Sequence, residues 1–292
     1  MSYQQPGYNP AYQNPYPQGG ALPPPPGFNV NQGQGGQFPP PIIPRAHMFN
    51  QNVENGDTEQ QGDGKYNLQF NEKSIRAAFV RKVFSIIFLM LLGVTILTAI
   101  PWFHRPTMQM IRRNNALYFG GYIVFLITYL SLACCKSARR SFPMNVILTA
   151  IFTFAIGVMT MVITSRHDII SVLLALIITT FTVLAVVIFS VTTKFDITAH
   201  TGYIAIFSFA FIIFSFVAFI FTIFVKVKIL LIIYAFIGTI LFMVYLCLDI
   251  QMLMGGKKIE ISPEDYIFAA VEIFLDIIQI FWLILSLIGN SR

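Results

Sequence analysis

Asp249 and Asp276 are the residues whose type and placement call for chemistry. Each interrupts an apolar run, LFMVYLCLDIQML and VEIFLDIIQIFWLIL. A carboxylate near the bilayer interior costs about 2.5–3.5 kcal/mol even on the lenient insertion scale, so two of them need a functional reason. Glu272 shares the second run, and Glu272, Asp276 and Gln279 recur at i, i+4 and i+7, which places them on one helical face. That stripe must face protein or water. Carboxylates brought together at low dielectric cannot all stay ionised, so the acids are expected to respond to pH as one unit. Ionised, Asp249 and Asp276 would attract a divalent cation. Ca²⁺ takes about six to eight oxygens, so the site would be weak, which suits permeation better than storage. The plainer alternative is that each Asp is paired with a base or a backbone amide and locks the bundle.

The elements that position these acids follow from composition. Of 292 residues 55% are apolar and only 11% are charged, with a mean hydropathy of +0.68, which fits a polytopic membrane protein. The net charge of +6 comes from basic residues set in twos and threes between apolar runs. They read as topology signals, and no nucleic-acid partner is expected. Seven apolar runs, at about 82–103, 116–135, 144–164, 169–191, 202–224, 229–252 and 266–288, approach the roughly 20 residues that a helix needs to cross a bilayer. Continuous runs of this length predict an all-α seven-helix transmembrane bundle over residues 71–292, whereas a barrel would show alternating stretches of about ten.

Residues 1–70 differ from this domain. Pro, Gly, Gln, Asn and Tyr dominate, with prolines at 23–26 and 39–41. Such a segment buries too little to fold alone and is expected to be a disordered tail, whose polyproline stretches could dock SH3 or WW modules. The start MSYQQPGYNP has neither a basic n-region nor an apolar core, so the first span is expected to act as its own insertion signal. Lys73, Arg76, Arg81 and Lys82 precede the first span, and Lys136, Arg139 and Arg140 follow the second. Both clusters favour the cytosol, and the other side receives Arg105, Arg112, Arg113, Arg166, Lys226 and Lys228. The tail is therefore expected in the cytosol, with the C-terminus across the membrane.

Other polar residues read as structural. Asp196 is expected to cap the fifth span or pair locally. Lys257, Lys258 and Glu260 read as a solvated loop, and Ser262-Pro263-Glu264-Asp265 as a helix start with Ser262 as cap and acids on the positive end of the dipole. Cys134, Cys135 and Cys247 show no disulfide framework, although the adjacent pair at a span end could be palmitoylated. His47, His104, His167 and His200 lack metal-ligand spacing. No cofactor is expected.

Four segments carry a resemblance. ISPEDYIFAAVEIFLDIIQIFWLILSLIG at 261–289 is similar to the C-terminal signature of the Bax-inhibitor family in its lifeguard (transmembrane Bax inhibitor motif) branch. FVRKVFSIIFLMLLGVT, RRSFPMNVILTAIFT and FSVTTKFDITAHTGY extend the similarity in order along the chain. The resemblance implies a membrane protein of the endoplasmic reticulum or Golgi, with the plasma membrane as another location. It implies restraint of apoptosis, Bcl-2-type partners, and a pH-sensitive Ca²⁺ leak that lowers stored Ca²⁺. It also implies a gate made by the aspartates of the sixth and seventh spans, which Asp249 and Asp276 match. A base after the second span would latch the first of them, with Lys136, Arg139 and Arg140 as candidates. Two positions depart from the pattern. Ile250 stands between Asp249 and Gln251 where relatives usually have Thr, and Glu272 adds a third carboxylate, expected to move the midpoint of a pH response upward. Gln251 and Gln279 are candidate polar lining.

Rival functions have weaker support. An intramembrane aspartyl protease also uses two aspartates on adjacent spans, but the chain lacks Tyr-Asp, Gly-x-Gly-Asp and Pro-Ala-Leu at the required places, so it is not expected to be an enzyme. A G-protein-coupled receptor would carry Asn-Pro-x-x-Tyr in its seventh span. A non-conducting interaction protein that acts on death regulators or receptors through its tail and helices remains the alternative.

Overall fold

The computed structural model describes the backbone of residues 60–224 and 228–290, with side chains from residue 72 onward except at 223, 228 and 290. Most of the Pro-rich tail, with His47, and also Lys226 and Arg292, lie outside the described residues. Among the described residues nine α-helices follow one another: α1 (Gln60–Phe103), α2 (Arg105–Arg113), α3 (Asn115–Cys134), α4 (Lys136–Arg140), α5 (Met144–Ser165), α6 (Ile169–Thr192), α7 (Thr201–Phe224), α8 (Lys228–Met254) and α9 (Tyr266–Asn290). Short 3₁₀ turns at Ile197–His200 and Pro263–Asp265 lead into α7 and α9. Among the described residues there is no strand.

Seven of these segments are long and apolar enough to cross a membrane, as the hydropathy pattern requires. The first is longer than the apolar run implies. Its helix starts at Gln60, inside the segment that composition assigns to the tail, and its candidate span is Glu72–Phe103. The polar first turns add no membrane-compatible surface, so hydropathy alone marks only the apolar part. Between the first two spans the loop carrying Arg105, Arg112 and Arg113 forms α2, which begins with Pro106 in its first turn, where a missing amide proton costs nothing.

α9 is the axis of the bundle. It packs along α8 and also against α1, α6 and α5, and more than half of its spanning window is buried. One core cluster joins Val83, Leu246, Ile250, Ile273 and Ile280. A second joins Leu132, Phe152, Ile156, Val271 and Phe274. Both draw on α9, so the helix carrying Asp276 is fixed on two sides. α7 is the peripheral helix, packed mainly on α8, with Phe209, Phe216 and Phe219 exposed as a lipid-facing side would be.

The loop joining α8 to α9 is tied down. Arg76 of α1 donates to the carbonyls of Ile261 and Met252 at 2.8 and 3.1 Å and meets Glu260 at 3.2 Å. Glu260 also accepts from the Gly256 amide at 2.6 Å, and Lys257 reaches the carbonyl of Lys194 at 3.2 Å. The reading of Lys257, Lys258 and Glu260 as a merely solvated loop is corrected. Arg76 thus serves a carbonyl in the last turn of α8, and Lys257 a carbonyl of the loop after α6.

Candidate functional site

α8 and α9 bring Asp249 and Asp276 together. Asp249 sits five residues before the end of α8 and Asp276 lies about 15 Å into the antiparallel α9 at 1.5 Å per residue. The side chains are buried, with relative exposures of 8% and 7%, and lie close enough to influence each other. Asp276 Oδ2 is buried with no hydrogen-bond partner among the described residues. Glu272 lies one turn before Asp276 on the same face, and Tyr129 of α3 donates its hydroxyl to Glu272 Oε1 at 3.2 Å. Tyr129 in turn stacks on Phe125, with ring centroids 5.8 Å apart. Gln279, one further step along the stripe, is half-buried.

No base reaches these acids among the described residues. The recorded ion pairs engage Glu260, Glu264 and Asp265 instead. Arg139 Nε donates to Asp265 Oδ1 at 2.9 Å and its guanidinium lies 4.9 Å from the Phe268 ring centroid. Arg140 grips the same carboxylate through Nε and Nη2, both at 2.8 Å, and reaches Glu264 at 2.6 Å. These neighbours hold the Arg140 guanidinium more firmly protonated, chiefly through the hydrogen bond to Asp265. Of the three candidate latch residues, two are therefore held at the start of α9, while Lys136 is exposed. Ser262 stands at the N-cap of the turn before α9, as the sequence suggests, but does not cap it through its side chain. Its hydroxyl makes no cap bond, its carbonyl accepts from the Asp265 amide at 2.9 Å, and the adjacent acids turn to the arginines.

Gln251 does not join the acids. It is almost fully buried and clips the α6–α7 loop, accepting from the Ile197 amide and donating to the Phe195 carbonyl, each at 2.9 Å. Asp196 caps the 3₁₀ turn before α7 through the Ala199 amide at 3.2 Å, as its position suggests, and also accepts from Thr198 and from the Lys258 amide. Cys134 and Cys135 are exposed and Cys247 is buried. Among the described residues no group of three or more His, Cys, Asp or Glu side chains could hold a metal ion. Asp249 and Asp276 thus offer Ca²⁺ two carboxyl groups, too few for a closed site.

Residues 76–292 match the family model described as Inhibitor of apoptosis-promoting Bax1. The chain belongs to the Bax-inhibitor family, in its lifeguard branch. It is 37% identical to Protein lifeguard 3 of Homo sapiens over 97% of this chain and 96% of the human protein. Against Protein lifeguard 3 of Mus musculus the identity is 36%, covering 98% and 89%. Protein lifeguard 4 of Mus musculus is 27% identical over 71% of this chain and 82% of its own length. The carboxylate pair, the Arg139 and Arg140 clasp and every span but the first few residues of Glu72–Phe103 lie within the part that matches the family model, and the chain is an integral multi-pass membrane protein.

Proposed function

We propose that this lifeguard-family protein restrains cell death by providing a pH-sensitive Ca²⁺ leak, with the Asp249 and Asp276 pair as the proton-operated gate. One observation carries the reading: two buried carboxyl groups inside membrane spans meet each other with no base between them. Intramembrane acids at such cost mark ion pathways and proton relays. With the pair protonated, its hydrogen bond joins α8 to α9. Loss of the proton leaves two like charges that repel, parts the helices and draws a cation. Glu272 supplies a third charge along the path, and Tyr129 orients it. The endoplasmic reticulum or Golgi is the store this leak drains, with the N-terminus in the cytosol according to the Lys and Arg bias.

The test is Ca²⁺ efflux from liposomes that hold the purified protein, between about pH 5.5 and 8.5, where carboxyl pairs of this kind and histidines exchange protons. Efflux should respond to pH in the natural sequence and lose that response in Asp249→Asn and Asp276→Asn. Efflux equal to that of empty liposomes, with folding verified, would remove the leak.

The family description names inhibition of apoptosis and not ion flow, which favours one second reading, a non-conducting interaction protein. Deleting residues 1–59 separates the two. Lost protection of cells with Ca²⁺ efflux intact would place the activity in binding by the tail.

A further inference from the structure

α1 and α6 pack chiefly on other helices, α1 on α5 and α9 and α6 on α8 and α9, and not on each other. Between them runs a groove of about 650 Å³, within the roughly 300–1,000 Å³ typical of small-molecule sites. Its floor is buried and includes Val94, Thr160, Thr179, Ile278 and Phe281. Its rim, with Thr95, Leu176 and Leu184, is exposed. In a bundle of membrane spans a groove open at its side faces lipid, so its occupant comes from the bilayer.

The lining specifies that occupant further. No charged side chain contributes to it, so an anionic or zwitterionic headgroup finds no partner there. Five threonines do contribute, and four have committed their proton. Thr95, Thr98 and Thr180 donate to the carbonyls of Leu91, Val94 and Leu176, while Thr160 donates to Ile156 and accepts from Trp282 Nε1 at 3.1 Å. Thr179 differs. It is 4% exposed, and its Oγ1 has no hydrogen-bond partner among the described residues. A buried hydroxyl without a partner is unfavourable, and both its donor and its acceptor capacity are open.

Thr179 also lies deep. It is about 15 Å along α6 from Ile169 at 1.5 Å per residue, near the middle of the span. The acyl chain of a phospholipid brings no oxygen to that depth and its charged headgroup cannot leave the interface, whereas a molecule with a single uncharged hydroxyl can carry it there to meet a partner. The matching ligand is uncharged, with an apolar body and one hydroxyl that can donate and accept. Trp102 and Phe281, which also line the groove, offer flat faces to a rigid ring system.

We propose that the groove between α1 and α6 is a sterol site, with the sterol hydroxyl paired to Thr179 Oγ1. Ion conduction is not required for it. Occupancy would press on Ile277 and Ile278, which line the groove immediately after Asp276 on α9.

The test uses the full chain in phosphatidylcholine nanodiscs with a photoreactive, alkyne-tagged cholesterol, followed by peptide mapping. Labelling should fall on α1 or α6 and be displaced by excess cholesterol. Ala99→Trp, which fills the groove, should abolish most of it. Thr179→Val, which keeps the shape and removes the hydroxyl, should weaken displacement about fivefold, as one lost hydrogen bond would. Elution profile and unfolding temperature verify that each variant is folded, and Leu176→Trp at the exposed rim replaces Ala99→Trp should that variant misfold. Labelling that survives the groove-filling variant overturns the site. Unchanged displacement in Thr179→Val, or equal displacement by palmitate, overturns recognition of a sterol hydroxyl.

Discussion

Arg139 is held by Asp265, its Nε donating to Oδ1 at 2.9 Å, with both side chains nearly nine-tenths buried. The pair ties α4 to the turn that opens α9, and Arg140 reinforces it from the surface. Removing Asp265 strands the buried Arg139 charge, whereas removing Arg139 leaves Asp265 with Arg140, and losing a hydrogen bond to a charged group costs about 1.5–3 kcal/mol. Asp265→Asn and Arg139→Gln should each lower the unfolding temperature in detergent. The double variant should be less destabilised than the sum by a coupling of about that size. Strict additivity would show that the clasp contributes nothing.

Gly255 and Gly256 separate two costs that are usually confounded. Both have left-handed φ, +74° and +75°. A Cβ on Gly256 would meet nothing within 4 Å, whereas on Gly255 it would collide with the guanidinium of Arg76. Gly256→Ala should therefore cost only the backbone penalty of about 1–2 kcal/mol. Gly255→Ala should cost more, because Arg76 must also give up its bonds to Met252 and Ile261. Adding Arg76→Ala to each alanine variant checks this. It should remove the difference between them.

Asp196 predicts an insensitivity. The hydrogen bond from Thr198 holds its carboxyl below the usual range, with help from the Lys258 and Ala199 amides. A depressed folded value means that the stabilisation is complete above the unfolded value near 3.9 and is lost only as pH falls through the lower, folded one. Between about pH 5.5 and 8.5 the penalty of Asp196→Asn should therefore be constant in thermal unfolding. A penalty that varied over this interval would mean that the loop between α6 and α7 titrates, and a flux response could no longer be assigned to Asp249 and Asp276 alone.

The spans and the two aspartates were legible because the bilayer punishes deviation. A carboxylate in an apolar run of about 20 residues stands out against a uniform background, and the antiparallel order of consecutive spans then sets the depth of Asp249 against Asp276. Partners were not legible. Tyr129 is one of several tyrosines in an apolar helix, and nothing local marks it as the donor to Glu272. Gln251 sits two residues from Asp249, so proximity suggested a shared role. On a helix that spacing turns the side chain by about 200°, toward the α6–α7 loop. Arg139 and Arg140 carry the right charge for a latch, but the choice between Asp249 and Asp265 depends on how deep α4 lies, which one-dimensional spacing does not encode. The groove at Thr179 left no trace because a threonine at mid-span ordinarily bonds back to its own helix.

His167 supplies the last prediction. It follows α5 in the short turn before α6, and its ring lies against the end of α9, where a Cβ on Gly289 would collide with Cε1 and Nδ1. Burial pushes its imidazole below the usual value near 6.5, with Asp168 opposing the shift. The unfolded chain then binds the proton more readily than the folded one. The contribution is complete above about pH 6.5 and is lost as pH falls through the folded value. The side chain is only half-buried, so the effect should be about 1 kcal/mol or less. His167→Gln should leave thermal stability near pH 7.5 almost unchanged and flatten the decline toward pH 5. Its effect on Ca²⁺ efflux would then separate a pH response at this turn from one at the carboxylate pair. A variant that keeps the same pH response of efflux while losing the pH slope of stability would assign the response to Asp249 and Asp276.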